Sequence, residues 1–383
     1  MRRTLSYYSL FFCLGLDVAL LGPTIPDLAK QTSTSLAIIA YLFIAGSSGY
    51  LVGSSFAGQI FDHVKGHPIL GLAQTVAGIC LFCIPFAPHF WILLVLVLLK
   101  GIAQGMVNNG SNTLLVWTHG EKASPFMNGL HFFFGLGAFI SPILTAQAIN
   151  AGISYRWVYW VLAIFCILAG MRILVQADSP RHDRHTLHGS QSRWNFSTMW
   201  LIATSALFLF FYVGAELAFS GWIYTFAVQS DITSPAGAAY LNSGFWLFFT
   251  FGRLASIGLA TRLTPEKMIT ISIFGAITAI GVLLVVPGVL PTLWLSTIFY
   301  GIFMAPIFPT GVTFVGKHIQ FNARVSGALF LGDSMGGMVL PWLVGQIIEG
   351  AGSQVLIYVI FTSLFLVAAT FVLMLHAAKK RIN

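Results

Sequence analysis

Four charged side chains stand inside long apolar stretches of this sequence, and they are the first candidates for chemistry. Asp17 and Lys100 each lie about midway along such a stretch, Glu216 lies past the middle of another, and Asp333 lies in a fourth. A charge inside a membrane costs about 2.5–3.5 kcal/mol or more and is usually functional or paired. Asp17 and Lys100 carry opposite charges at similar depth, so we expect them to form an ion pair. A proton or solute that breaks the pair could shift a conformational equilibrium, and the alternative is a static pair that only joins two helices.

Glu216 has two aromatic neighbours along the chain, Tyr212 and Trp222. A carboxylate can accept hydrogen bonds from the hydroxyls of a sugar, and aromatic rings pack on the apolar face of a pyranose. This combination predicts solute binding at all three residues, although Glu216 could instead be a group that titrates. The alternative for the aromatic side chains is a belt at the membrane surface.

Three asparagines, Asn108, Asn109 and Asn112, stand close together in the fourth apolar stretch. Asn108 and Asn112 are four residues apart and share one face of a helix. An amide both donates and accepts hydrogen bonds, which suits the recognition of a polyol. Hydrogen bonding between neighbouring helices is an equal alternative.

Two further pairs have helical spacing: Asn128 with His131, three residues apart, and Asn242 with Trp246, four apart. We count all four as candidate solute-binding residues, because residues at these spacings share a helix face. His131 could also relay protons near neutral pH. The alternative for each of them is an ordinary packing role inside a bundle of helices.

The composition indicates which elements must position these residues. Of 383 residues, 57% are hydrophobic and 8% are charged, whereas an average soluble protein has about 25% charged residues. Such a chain cannot be an ordinary soluble enzyme, a nucleic-acid-binding protein or a disordered chain. It contains no Walker loop, GxSxG elbow, HExxH motif or Rossmann fingerprint, so we expect neither catalysis nor a bound cofactor.

Twelve apolar stretches are long enough to cross a bilayer as helices, which takes about 20 residues each. They are too long and too uniformly apolar to be the strands of a membrane β-barrel. The stretches are 5–29, 35–60, 68–88, 90–116, 125–148, 155–176, 197–228, 236–260, 268–287, 291–316, 324–348 and 353–377.

The strongest polar interruption, at residues 176–195, divides these stretches into six and six. We therefore predict an N-terminal six-helix bundle at 1–176, a cytoplasmic central loop at 177–196 and a C-terminal six-helix bundle at 197–383. If both termini are cytoplasmic, most of the 19 Lys and Arg residues fall on the cytoplasmic side. Because cytoplasmic loops of membrane proteins are enriched in these residues, we predict this orientation.

Two loops lie at corresponding places in the two halves, at 58–68 and 252–265, and both carry basic residues. The first resembles the signature loop of the major facilitator superfamily, although Lys65 stands where a Gly is usual. The resemblance implies that these loops gate a transport pathway, and Asp333, in the eleventh stretch, is a further candidate for a gating bond. The candidate gating residues are Gly58, Asp62, Lys65, Arg253, Arg262 and Asp333.

Five segments resemble, more narrowly, the branch of this superfamily that contains fucose permease and the sodium-dependent glucose transporter. Asn108 stands where an acidic residue is common in this branch; if that acid serves cation coupling, this chain must couple through another residue or not at all. The segments are GPTIPDLA (22–29), NGLHFFFGLGAFISP (128–142), YVGAELAFSGWIYTFAV (212–228), FWLFFTFGRL (245–254) and APIFPT (305–310).

The resemblance implies an all-α membrane protein with twelve transmembrane helices in two pseudo-symmetric six-helix halves. In this fold, the first, fourth, seventh and tenth helices line a central cavity. Asp17, Lys100 and Glu216 are therefore candidates for cation coupling, and we expect Asp17 and Lys100 to pair across that cavity.

The function that the resemblance implies is secondary active transport of a small polar solute by alternating access. The expected solute is a monosaccharide such as a hexose or deoxyhexose, coupled to a proton or a sodium ion. The proton is favoured, since a Lys at the site competes with sodium. The alternative is a proton-coupled exporter of drugs or metabolites on the same fold. The expected partners are the solute and the lipid bilayer, without nucleic acid; a monomer suffices, and the short loops favour a bacterial inner membrane.

Overall fold

The computed structural model describes residues 2–61, 64–176, 180, 196–319 and 323–382. Within these ranges the chain is helical and contains no β-strand. The twelve long helices are α1 (Arg2–Gln31), α2 (Tyr41–Phe61), α3 (Gly66–Cys83), α4 (Phe90–His119), α5 (Ala123–Asn150), α6 (Arg156–Leu174), α7 (Phe196–Gln229), α8 (Pro235–Leu259), α9 (Pro265–Val285), α10 (Leu290–Met304, continued by Ile307–His318), α11 (Ala323–Ala351) and α12 (Val355–Ile382).

All twelve predicted stretches are thus helical, and eleven of the described helices are long and apolar enough to cross a membrane. The remaining helix, α8, has the length to span but carries Asn242 and Arg253. Local sequence explains where several helices begin. The hydroxyls of Ser234 and Thr264 accept hydrogen bonds from the backbone N–H groups of Gly237 and Lys267, and a proline follows each cap, as is common at helix starts.

Two breaks interrupt the helical spans. A one-turn helix, Leu36–Ile39, precedes α2, and its cap Ser35 accepts a hydrogen bond from the N–H of Ile38. In α10, Pro306 stands between the two helical pieces. Because proline has no N–H group and its ring clashes with the preceding turn, it interrupts the helical hydrogen bonds there.

The two halves repeat one packing scheme. In the N-terminal half, α1 packs on α5, α2 on α4 and α3 on α6; in the C-terminal half, α7 packs on α11, α8 on α10 and α9 on α12. Between the halves, α5 packs on α8 and α2 on α11, and the repeat relates these two contacts to each other. The prediction of two pseudo-symmetric six-helix halves is confirmed. Most of the predicted central loop, 177–196, lies outside the described residues, so its boundaries stay predictions.

Glycines allow the closest of these approaches. A Cβ atom on Gly15 of α1 would collide with the backbone oxygen of Phe134 in α5. In the helix pair that the repeat makes equivalent, a Cβ on Gly336 of α11 would collide with the backbone oxygen of Phe210 in α7. Small residues let membrane helices pack backbone to backbone, where dispersion contacts are densest.

Polar contacts join the halves at the end of the bundle that lies away from the chain termini. The Gln346 amide of α11 donates to the backbone oxygen of Ala37, 2.6 Å away, and the Glu349 carboxylate accepts from the backbone N–H of Leu36. The Gln147 amide of α5 donates to the Tyr240 hydroxyl of α8 at 2.8 Å. The halves are therefore closed on each other at this end, and the cytoplasmic placement of the termini stays a prediction.

Replacement of Gly15 with alanine should destabilise the protein, because the added methyl group meets a backbone that cannot move independently of its helix. Gly258→Ala is the matched control, since a Cβ on Gly258 has no atom within 4 Å and alanine is favoured over glycine in a helix by about 1 kcal/mol. Thermal unfolding in detergent should show a lower midpoint for Gly15→Ala and an equal or higher one for Gly258→Ala. Equal midpoints for the two variants would contradict the packing described here.

Candidate functional site

Asp17 and Lys100 form an ion pair inside the N-terminal half. The Lys100 ammonium nitrogen lies 2.7 Å from each oxygen of the Asp17 carboxylate, and the Gln104 amide donates to Asp17 Oδ2. Asp17 is 5% exposed and Lys100 is 9% exposed. Both charges are thus buried and directly paired, which is the arrangement that makes two charges tolerable in an apolar interior.

The surroundings of this pair correct one expectation. Its neighbours Cys13, Gln74 and Cys166 belong to α1, α3 and α6, and all of these helices lie in the N-terminal half. The pair therefore lies inside that bundle, and the expectation that it spans the cavity between the halves is wrong. The physical reason is that α1 and α4 each have a face toward their own bundle, and a buried ion pair is better shielded from water there.

A second group of polar side chains lies where the two halves meet. On the N-terminal side, the Asn108 amide of α4 donates to the Tyr50 hydroxyl of α2. On the C-terminal side, Asp333 of α11 lies within electrostatic range of both Tyr50 and Glu216. Glu216 lies within the same range of Arg253. This group places two acids, one base and a bonded Tyr–Asn pair around the interface of the halves.

Arg253 corrects a second expectation. It lies inside α8 rather than in a cytoplasmic loop, because that helix continues to Leu259. Its guanidinium carbon lies 4.7 Å from the centre of the Phe249 ring, a cation–π contact. Although Arg253 and Glu216 interact electrostatically, they form no ion pair within the part of the chain that the structure describes. The two charged groups are therefore too far apart for a direct ion pair.

Two polar groups with no partner among the described residues lie near Glu216. Tyr212 and Tyr300 are fully buried; the Tyr212 hydroxyl lies within hydrogen-bonding range of Glu216, and the Tyr300 hydroxyl bonds to no described residue. The Nε atom of Arg253 is likewise buried and unbonded there. Buried polar groups are almost always hydrogen-bonded, so the Tyr300 hydroxyl and the Arg253 Nε atom are available to a polar solute. Phe219 packs on Tyr300, with ring centres 4.6 Å apart, and supplies an apolar wall.

Three other predicted binding residues hold the C-terminal half together. The Trp222 indole donates to the backbone oxygen of Pro341 at 2.8 Å, and the Trp246 indole donates to the Ser220 hydroxyl at 3.0 Å. The Asn242 amide donates to the backbone oxygen of Ser220 at 2.7 Å. All three side chains are almost fully buried, and their N–H groups join helices of this half. The Asn242 Oδ1 atom has no partner among the described residues.

The asparagines of α4 fall into two groups: Asn109 and Asn112 bond to backbone oxygens of their own half, and Asn108 bonds to a residue at the interface of the halves. The Asn109 amide donates to the backbone oxygen of Ser54 in α2 at 2.8 Å, and the Asn112 amide donates to the backbone oxygen of Asn108 at 2.9 Å. These bonds match the alternative in which Asn residues join and stiffen helices. Asn108, through Tyr50, is the member of the set that reaches the interface.

Of the two predicted residues of α5, His131 lies near the other half. Asn128 and His131 are both exposed. The His131 ring lies edge-on to Phe11 of α1, with centres 5.6 Å apart. It also lies within electrostatic range of Arg253 in the other half. The imidazole is therefore accessible and faces the second group of polar side chains.

The predicted gating residues are dispersed. Gly58 lies within α2, Lys65 is exposed at the start of α3, and Arg262 is exposed in the turn between α8 and α9. Asp62 lies outside the described residues. Asp333 is partly buried at the interface, where it belongs to the second polar group. Within the described ranges, no cluster of three or more His, Cys, Asp or Glu side chains could hold a metal ion.

Four residues of these sites were not predicted from the sequence: Tyr50, Gln74, Gln104 and Tyr300. Gln104 had a usable signal, because it follows Lys100 by four residues and so shares its helix face. Gln74 is a polar residue in an apolar stretch and could have been examined for that reason. Tyr50 and Tyr300 gave no signal, since tyrosine is common in packed helices.

Comparison with known proteins gives a family match. The model of the Major Facilitator Superfamily matches residues 7–341. The zebrafish (Danio rerio) sodium-dependent glucose transporter 1 is 30% identical over 370 residues, covering 88% of this chain and 62% of that protein. The mouse (Mus musculus) sodium-dependent glucose transporter 1A is 28% identical over 378 residues, covering 90% of this chain and 88% of that protein.

Solved structures share the fold. The inward open conformation of the xylose transporter XylE from E. coli superimposes with a TM-score of 0.79 at 12% sequence identity, covering 96% of this chain and 94% of that one. The nucleoside transporter NupG gives a TM-score of 0.77 at 16% identity, covering 97% and 99%. At these identities, the likeness concerns the arrangement of the helices.

Removal of one member of the buried ion pair should cost more stability than removal of both. Lys100→Met leaves the Asp17 carboxylate buried without its partner, which costs about 3–5 kcal/mol. In the double variant Asp17→Asn, Lys100→Met no charge remains, and part of that loss should return. Unfolding of the wild type, both single variants and the double variant measures the coupling. Additive losses across the four proteins would show that the two charges do not depend on each other.

Proposed function

Because the chain belongs to the major facilitator superfamily, we propose that it is a secondary transporter that moves a monosaccharide together with a proton. The family and the fold are those of transporters, not enzymes. The observation that carries the choice of substrate is the pair of unbonded polar groups, on Tyr300 and Arg253, near Glu216, Tyr212 and an aromatic wall. The zebrafish and mouse relatives are named as glucose transporters, which supports a hexose.

The solute site lies between Glu216 and Arg253 in this proposal. A sugar hydroxyl can donate to the carboxylate and accept from the guanidinium at the same time, so a polyol can bridge two charges that do not touch. The hydroxyls of Tyr212 and Tyr300 add two groups that both donate and accept. From the other half, Asn108, Tyr50 and His131 complete the site as the halves approach.

The coupling group is Asp17 in this proposal. Protonation of the carboxylate removes its charge and breaks the ion pair with Lys100, which changes the energy of one conformer relative to the other. Both Asp17 oxygens already accept hydrogen bonds from Lys100, and the ammonium repels a metal cation at this distance. A proton therefore fits better than sodium, although the names of the zebrafish and mouse relatives favour sodium.

Alternating access follows from the repeated contacts between the halves. The polar bonds that close one end, such as Gln346 to Ala37 and Gln147 to Tyr240, must open when the halves rock. One chain supplies every residue of both sites, so we propose a monomer. A bacterial inner membrane stays a prediction, and the two relatives named above are vertebrate proteins.

Counterflow of labelled hexoses into proteoliposomes, with pH and sodium gradients set independently, tests the function. We expect counterflow without a gradient, accumulation driven by the pH gradient, and no effect of sodium. Asp17→Asn should abolish accumulation and keep counterflow, because asparagine cannot take up the proton. Accumulation driven by a sodium gradient alone would show that sodium is the coupling ion in place of the proton. A lack of hexose flux under every condition would contradict the proposal that the substrate is a sugar.

Loss of one tyrosine hydroxyl should weaken solute binding. For Tyr300→Phe and Tyr212→Phe, we expect the half-saturating hexose concentration to rise about tenfold, the factor that corresponds to one hydrogen bond. Tyr358→Phe is the matched control, because Tyr358 is 57% exposed on the outside of α12. If the half-saturating hexose concentration is unchanged in the two buried variants, neither hydroxyl belongs to the solute site.

A further inference from the structure

A small cavity lies beside the ion pair, and the substrate space between the halves does not contribute to it. Its polar lining comes from four helices of the N-terminal half. These lining residues are Cys13, Asp17, Gln74, Lys100, Gln104 and Cys166. The volume open to the centre of a water molecule is about 10 Å³, close to the amount that one bound water needs. The cavity therefore has room for one water molecule and no sugar.

Gln74 is the polar side chain in this lining that the ion-pair network leaves out. It is 2% exposed, and its amide forms no hydrogen bond with the described residues. An amide has two donor sites and one acceptor atom, and burial without partners is costly. Gln74 thus points to an occupant that can both donate and accept hydrogen bonds.

The ion pair has capacity for the same occupant. An ammonium group has three N–H donors, and two of those of Lys100 point to the Asp17 oxygens. Asp17 Oδ1 accepts one hydrogen bond, from Lys100, and a carboxylate oxygen can accept two. A buried water typically makes about three hydrogen bonds, and Gln74, Asp17 and Lys100 supply that number.

We propose that this cavity is a binding site for a single water molecule, held by Gln74 and the Asp17–Lys100 pair, and that this water carries the coupling proton. The inference rests on the proposed function, since it assigns Asp17 as the coupling group. Gln74 is then a positioning residue, because it acts on Asp17 through the water.

The proton transfer is simple in this site. A proton that reaches the water makes it a hydronium ion; one of its O–H bonds then breaks as a bond forms between that proton and Asp17 Oδ1, which leaves neutral water. The Lys100 ammonium keeps its charge throughout. On release, the same proton returns to the water. No oxidant, metal ion or second reactant takes part.

The other ionisable groups around the pair come from the same helices. Cys13 lies on α1, Cys80 on α3, and Tyr159 and Cys166 on α6, and each lies within electrostatic range of Asp17 or borders the cavity. Tyr159 bonds to the Thr24 hydroxyl at 2.9 Å. Asp17 is therefore the one carboxylate among these named groups, so it is the natural acceptor for a proton from the water.

Radiolytic hydroxyl-radical labelling with mass spectrometry tests the water itself. Radicals made from a bound water oxidise the side chains next to it, so we expect oxidation of Cys13 although it is only 2% exposed. Cys80 is also buried but does not line the cavity, and it should stay unmodified. Gln74→Met should abolish the Cys13 label, whereas Leu81→Met, which changes an apolar residue of the lining, should keep it. An unlabelled Cys13 in the wild type, or a label that survives Gln74→Met, overturns the site.

Transport by the same two variants tests the role of the water. In Gln74→Met, we expect pH-driven hexose accumulation to fall about tenfold, the factor for one hydrogen bond, with counterflow unchanged. Leu81→Met should behave as the wild type. A parallel fall of accumulation and counterflow in Gln74→Met would show a packing role and overturn the proposal. If the wild type moves no hexose, the proposed function fails, and the Cys13 label still decides whether the water is bound.

Discussion

The buried ion pair between Asp17 and Lys100 is a strong constraint on the N-terminal half, because two opposite charges must meet inside it. Hydrocarbon offers no hydrogen bonds, so each charged atom must find its partner within the protein. Lys100 meets both oxygens of Asp17, and Gln104 adds a third donor. This requirement fixes the rotation of α1 against α4. That rotation in turn places Gly15, two residues before Asp17, against the backbone of α5.

The two halves place different polar groups beside their buried charges. In the N-terminal half, Asp17 and Lys100 bond each other directly, and Gln74 lines the cavity beside them. In the C-terminal half, Glu216 and Arg253 form no ion pair among the described residues, and the Tyr300 hydroxyl near them has no partner there. In the proposed function, the paired carboxylate holds the proton, and the unpaired groups bind a solute that must come and go.

The sequence predicts the helices well because their signals are local. A run of about 20 apolar residues and a Ser-Pro or Thr-Pro start need no knowledge of the rest of the chain. Arg253 was misplaced because a Gly-Arg step near the end of an apolar stretch is typical of a loop, whereas here the helix continues for six residues beyond it. For Trp222 and Trp246, the sequence allows both a binding role and a packing role. Their partners, Pro341 and Ser220, are set by packing between helices, which no local pattern encodes.

The distribution of contacts between the halves indicates how they can rock. The bonds at the closed end are polar, and their partners include the exposed Glu349, so water can replace them at a net cost of about 1 kcal/mol each. The contacts within each half are different, because the Gly15 and Gly336 crossings join backbones directly and leave no room for water. Each half should therefore move as a rigid body while the polar bonds at its ends exchange with solvent. In the proposed mechanism, a proton that breaks the buried ion pair would change an energy larger than that exchange, so a single site in one half would be sufficient to bias the movement of both.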